Sequence, residues 1–172
     1  GSVPATLELA IPTEKARRVS IVTTLSKEQI GIITEYTRVS RTASQLRSTA
    51  MTLLALRMGL RSIDICDLRL SDISWESATI SIVQRKTGKP LTLPFPVEVG
   101  NALTRYILHG RPDCDATNVF ITLKHPYTCL SSSSSCYHVA ISILRKKASA
   151  SEIRGLHIAR RTYASRLLEA EN

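Results

Sequence analysis

No apolar run in this 172-residue chain approaches the roughly 20 residues a helix needs to cross a bilayer, so it reads as soluble. No lipidation signal or basic amphipathic helix points to a membrane surface either. Cysteine is scarce and unpatterned: Cys66, Cys114, Cys129 and Cys136 include no CxxC spacing, and no secretory signal opens the chain. Reduced thiols and a cytoplasmic setting are therefore expected. His125, Cys129, Cys136 and His138 match no familiar zinc spacing and read as loop and packing residues, so no metal is expected. There is no internal repeat. Acidic residues are also in deficit, 14 against 23 Lys and Arg, and the resulting formal charge of +9 favours a polyanionic partner, nucleic acid first.

What is present has the size and balance of one compact domain, with 43% hydrophobic and 22% charged residues. The opening Gly1–Ser2 resembles the scar of tag removal, which points to a piece of a larger protein. Residues 1–24, with Pro4 and Pro12, show no period and read as a lead-in or linker remnant ahead of a domain over 25–172. Ser26 and Gln29 form a capping-box pattern before a helix over 27–38. In "TASQLRSTAMTLLALRMGL", Leu46, Ala50, Leu53, Leu54 and Met58 share a stripe that ends at Gly59, marking the most buried helix. "RSIDICDLRLSDISW" reads as a short helix running into a turn. The period then becomes alternating in "ATISIVQRKTGKPLTLPF", which predicts two strands joined at Thr87–Gly88, with Ile80 and Ile82 on one face.

Helical spacing returns through Val99, Leu103 and Ile107, and "NVFITL" reads as a short strand. A serine from 131–135 caps a helix carrying Val139, Ile143 and Leu144. A closing helix from about Leu156 is expected to bury Tyr163, Leu167 and Leu168. This order gives a mainly helical α+β domain with a small antiparallel sheet or hairpin at one edge.

Three stretches hold side chains suited to phosphate chemistry. Arg61 follows the apolar helix directly, and Asp64 lies one helical turn away, close enough to hold its guanidinium. A held guanidinium donates two parallel hydrogen bonds to phosphate oxygens and stays charged at any working pH. Lys86 and Lys89 stand at the hairpin tip, and their positions alone do not separate a functional lysine from a solvated one. His157 and Arg160, three residues apart on a helix, share a side.

Taken together, "GLR..D", "KTGK..LP" and "GLHIARRTYAS", with "LRLSDISW" between the first two, resemble the catalytic domain of the tyrosine recombinases, the phage integrase family. The resemblance runs from about Ser26 to Asn172. It implies packed helices with a small sheet at one edge, gripping double-stranded DNA with help from a separate N-terminal domain. It also implies self-association of the full-length protein on DNA as a tetramer, with no metal, nucleotide cofactor or small-molecule substrate. Carried over by motif, Arg61 and Arg160 stabilise the transition state and Lys86 protonates the leaving 5′-oxygen. His157 assists proton transfer or binds the phosphate, and Asp64 supports the site. The nucleophilic tyrosine is expected beyond Asn172, because Tyr163 occupies the position of a packed aromatic. The chain is accordingly expected to bind DNA without cleaving it. The alternatives are a non-catalytic DNA-binding accessory or regulatory relative, and an unrelated basic helical protein that binds RNA or another acidic partner.

Overall fold

The computed structural model of the chain describes residues 23–131, 142, 145–147, 153 and 155–171. Expectations for 1–22, for the serine cap and for Val139, Ile143 and Leu144 lie outside the described residues.

Helix α1 (Lys27–Val39) starts on Ser26, whose hydroxyl accepts from Gln29 N–H while the Gln29 side chain accepts from Ser26 N–H, the expected capping box. Thr42 and Gln45 repeat the device at α2 (Ala43–Met58). This second helix is the axis of the domain. The apolar stripe read from sequence is only part of its burial, because every residue from Leu46 to Leu56 is buried. Much of its polar complement is bonded internally: the Thr52 hydroxyl donates to Ser48 O at 2.7 Å, and Arg47 Nη1 donates to Ile121 O at 2.7 Å.

Beyond α2, the chain makes α3 (Ser62–Asp67) and a short 3-10 turn before a three-stranded antiparallel sheet. Its strands are β1 (Ile73–Ser74), β2 (Thr79–Val83) and β3 (Pro90–Pro94), in the order β1-β2-β3. Register pairs Ile80 with Leu93 and Ile82 with Leu91, so the apolar side chains share the inner face. On the outer face Ser81 and Thr92 hydrogen-bond at 2.9 Å. The connection is longer than the two residues expected: Gln84 N–H donates to Lys89 O at 2.9 Å and Gly88 N–H to Gln84 O at 2.8 Å, so the turn occupies 84–89. Helix α4 (Val97–His109) then packs Val99, Leu103 and Tyr106 inward, and Tyr106 stacks on Phe120 with centroids 5.4 Å apart.

Two expectations fail here. "NVFITL" is not a strand but a pair of isolated bridges, Arg69 with Asn118 and Ile121 with Cys129. Its two halves pair with different neighbours, so no continuous ladder forms. Leu167 and Leu168 are not inward: they are 47% and 64% exposed on the closing helix α5 (His157–Ala170). The face of α5 that packs on α2 instead carries Ile158, Ala159 and Thr162.

Thr162 joins the beginning of the described chain to its end, since its Oγ1 accepts from Leu25 N–H at 2.8 Å in a buried setting. Thr162→Val leaves that buried amide without its acceptor and is expected to lower unfolding free energy by about 1–3 kcal/mol, whereas Thr162→Ser stays near the wild type. Urea denaturation of the two variants measures the difference.

Candidate active site

Helix α2 stops at Gly59, which takes a left-handed conformation (φ 67°, ψ 20°) and donates its N–H to Ala55 O and Leu54 O. Glycine enters this region without the penalty a Cβ brings, and the reversal delivers Arg61 to the start of α3 two residues later. The first turn of α5 arrives from the other side. Gly155, also left-handed at φ 69°, precedes it and leaves room for the His157 imidazole. Arg61, His157 and Arg160 therefore meet, with Leu60, Ser62 and Leu156, around an open cleft of about 230 Å³. A larger and more apolar hollow of about 400 Å³ between α1, α2 and α4 contains none of the sequence-predicted site residues.

Three features make the cleft attractive to an anion. Arg160 Nε donates to Gly59 O at 2.8 Å, which fixes one edge of the guanidinium and leaves its two Nη groups for a ligand. Burial first, then the neighbouring Arg61 charge, lower the Arg160 pKa, and Asp64 acts in the opposite direction. The arginine remains charged at working pH, but like charges held together gain from an anion placed between them. The N-terminus of α5 adds the positive end of a helix dipole, with His157 as its first residue.

The ion pair expected between Arg61 and Asp64 is looser than its sequence spacing implied. Arg61 Nη1 and Asp64 Oδ2 are 4.0 Å apart, and both atoms are buried without a hydrogen-bond partner among the described residues. The other Asp64 oxygen is engaged: Oδ1 accepts from the main-chain N–H of Arg85 at 2.8 Å, while the Arg85 side chain pairs with Asp67 at 2.7 Å.

Asp64 is therefore a brace between α3 and the root of the hairpin. Sequence reasoning missed this link, because a main-chain donor leaves no mark on residue type. Lys86 follows the braced amide directly, but its exposed position on the 84–89 turn does not line the cleft. Lys89, equally exposed, closes the same turn.

Residues 23–172 match the family model described as the phage integrase family. The chain belongs to that family. Among its relatives is a putative integrase/recombinase, y4gC, of Sinorhizobium fredii (strain NBRC 101917 / NGR234). It is 32% identical over 151 residues, which cover 85% of this chain and 75% of the relative. The crystal structure of XerA recombinase superposes with a TM-score of 0.68 at 22% identity, over 89% of this chain and 52% of that one. The Tn1549 transposon integrase, solved with transposon right-end DNA, gives 0.68 at 18% identity, over 90% of this chain and 56% of that one. The chain thus spans about half the length of these solved recombinases. Identities this low carry the fold alone, and the integrase-family fold they share is the helical α+β domain with a small edge sheet found here.

The Asp64 brace yields a test. Asp64→Ala is expected to expose the Arg85 amide to hydrogen exchange and to destabilise the domain by about 1–3 kcal/mol, whereas Asp64→Asn retains an acceptor and most of the protection. Amide exchange at Arg85, followed by NMR, reports both outcomes.

Proposed function

We propose that this chain carries the phosphate-binding part of a site-specific DNA strand-exchange site. The observation that supports it most directly is the convergence of Arg61 and Arg160, the latter held by a main-chain carbonyl, on an open cleft. The Tn1549 integrase, which shares the fold, was solved with DNA. On this reading the occupant is a backbone phosphate of duplex DNA.

Arg61 and Arg160 donate to its non-bridging oxygens. As a tyrosine oxygen attacks phosphorus and the bond to the 5′-oxygen breaks, negative charge grows on those oxygens, and donors already fixed in place favour the transition state over the ground state. The products are a 3′-phosphotyrosyl link and a 5′-hydroxyl, the proton for the latter coming from Lys86. His157, at the mouth of the cleft, binds the phosphate or accepts the proton of the attacking tyrosine. Lys86 reaches the leaving oxygen only when the 84–89 turn lies against DNA.

None of the described tyrosines lines the cleft. Tyr36 and Tyr106 are buried, Tyr127 sits in the loop after Thr122, and Tyr163 packs against Gly59. The attacking tyrosine is therefore assigned outside the described residues, which on this reading bind duplex DNA without supplying the nucleophile. Self-association of the whole protein on paired DNA sites belongs to the same reading.

Fluorescence anisotropy with a labelled duplex tests the binding. Affinity is expected to fall steeply with salt, and Arg61→Ala or Arg160→Ala to reduce the slope of log affinity against log salt by about 0.9 each. A salt-independent affinity overturns the proposal. In the intact recombinase, Lys86→Ala is expected to stop cleavage of ordinary DNA but to cut a substrate with sulfur in place of the 5′-leaving oxygen, because a thiolate departs without a proton. Rescue of Lys89→Ala alone would move the role to Lys89.

A further inference from the structure

Arg61 and Arg160 stand at the ends of different helices, α2 with its continuation and α5, and something must hold them at a fixed spacing. We infer that Gly59 and Tyr163 are the positioning residues that set this spacing: α5 clasps the Gly59 residue from two sides, with the Tyr163 ring on its Cα and the Arg160 guanidinium on its carbonyl. The inference rests on the proposed role of the cleft.

Its geometry begins with Arg160 and Tyr163, one helical turn apart and so on the same side of α5. Arg160 Nε donates to Gly59 O at 2.8 Å, a contact across 101 residues of sequence. The half-buried Tyr163 ring lies so close to the Gly59 Cα that a Cβ there would stand 2.8 Å from Cε1 and 3.3 Å from Cγ, inside the ring's van der Waals envelope. Gly59 is therefore required twice, once for its left-handed turn and once for the space it leaves to the aromatic ring.

The same residue fixes Arg61. Gly59 N–H donates to Ala55 O at 3.1 Å and Leu60 N–H to Leu54 O at 3.4 Å, so the two-residue step from α2 to Arg61 has little freedom. Arg61 is thus tied to Gly59 through the main chain and Arg160 through its carbonyl. The ring of Tyr163 keeps α5 from sliding along this contact. Without it, the Arg160 side chain retains its charge but loses its aim, and a planar fork that is misdirected binds a phosphate poorly.

The test uses the complete 172-residue chain labelled with ¹⁵N, so that the Nε–H signals of Arg61 and Arg160 can be followed by NMR. Hydrogen exchange at Arg160 Nε–H reads the clasp, and titration with inorganic phosphate reads the cleft. Tyr163→Ala is expected to accelerate Arg160 Nε–H exchange at least tenfold and to weaken phosphate binding about fivefold, while Tyr163→Phe, which keeps the ring, restores both.

Gly59→Ala is expected to do the same as Tyr163→Ala. Combining the two is expected to add little to Tyr163→Ala alone, because the ring that the added methyl would displace is already gone. Should Gly59→Ala fail to fold, the pair of Tyr163 variants still decides. Wild-type exchange at Arg160 in folded Tyr163→Ala overturns the inference, as does failure of Tyr163→Phe to restore it. The readouts keep the two claims apart: absence of phosphate-induced shifts at Arg61 and Arg160 in the wild-type chain overturns the anion-binding reading, whereas the exchange rates speak to the clasp alone.

Discussion

Helix α2 is surrounded, and the other elements are arranged by that constraint. A helix with burial on every side needs neighbours on every side, and the domain supplies α1, α3, α4 and α5. The neighbours are attached by apolar packing and by a few polar links, such as the Arg57–Glu98 pair at 2.8 Å between α2 and α4. Because α2 cannot shift without disturbing all of them, its C-terminal end is a stable point of reference. Both halves of the cleft are measured from that point: Arg61 by the chain that continues from it, and Arg160 by the hydrogen bond that returns to it.

The positive charge of the chain is put to two different uses. Arg47, Arg105 and Arg111 work inside the protein as donors to main-chain oxygens. Arg105 reaches Thr37 O and Ser40 O, and Arg111 gathers the carbonyls of Ala116, Asn118 and Val119. They stitch irregular segments to the helices and hold loops that have no ladder of their own. Arg61 and Arg160 differ because each keeps donors in reserve at an open cleft. Net charge alone does not distinguish these uses, since a guanidinium closed on carbonyls counts the same as one awaiting an anion.

Much of this was readable in the residues. The two capping boxes, the glycine stop after Met58 and the alternating apolar pattern of the hairpin all express local rules, and local rules survive folding. The convergence of Arg61 with His157 and Arg160, about 100 residues apart, was legible only through motif resemblance, because no periodicity links segments that distant. The errors share a cause. Hydrophobicity alone points Leu167 and Leu168 inward, but the packed face of α5 is made of Ile158, Ala159 and Thr162, one to three turns earlier on the helix. "NVFITL" has the composition of a strand, yet its backbone serves two different partners. Tertiary pairing decided both, and neither could be seen from one segment.

The brace from Asp64 to the Arg85 amide has a kinetic meaning as well as a structural one. If Lys86 acts as proposed, a wholly free loop would oblige it to search a large volume for the oxygen it protonates. Lys86 begins instead one residue from a pinned atom, so the root of the turn is stationary and only its tip and the side chain explore. The local concentration of its ammonium near the hairpin is raised before any ligand arrives, and less entropy remains to be lost when contact is made. On the proposed role of Lys86, a buried carboxylate outside the reacting atoms thereby shortens a proton donor's leash.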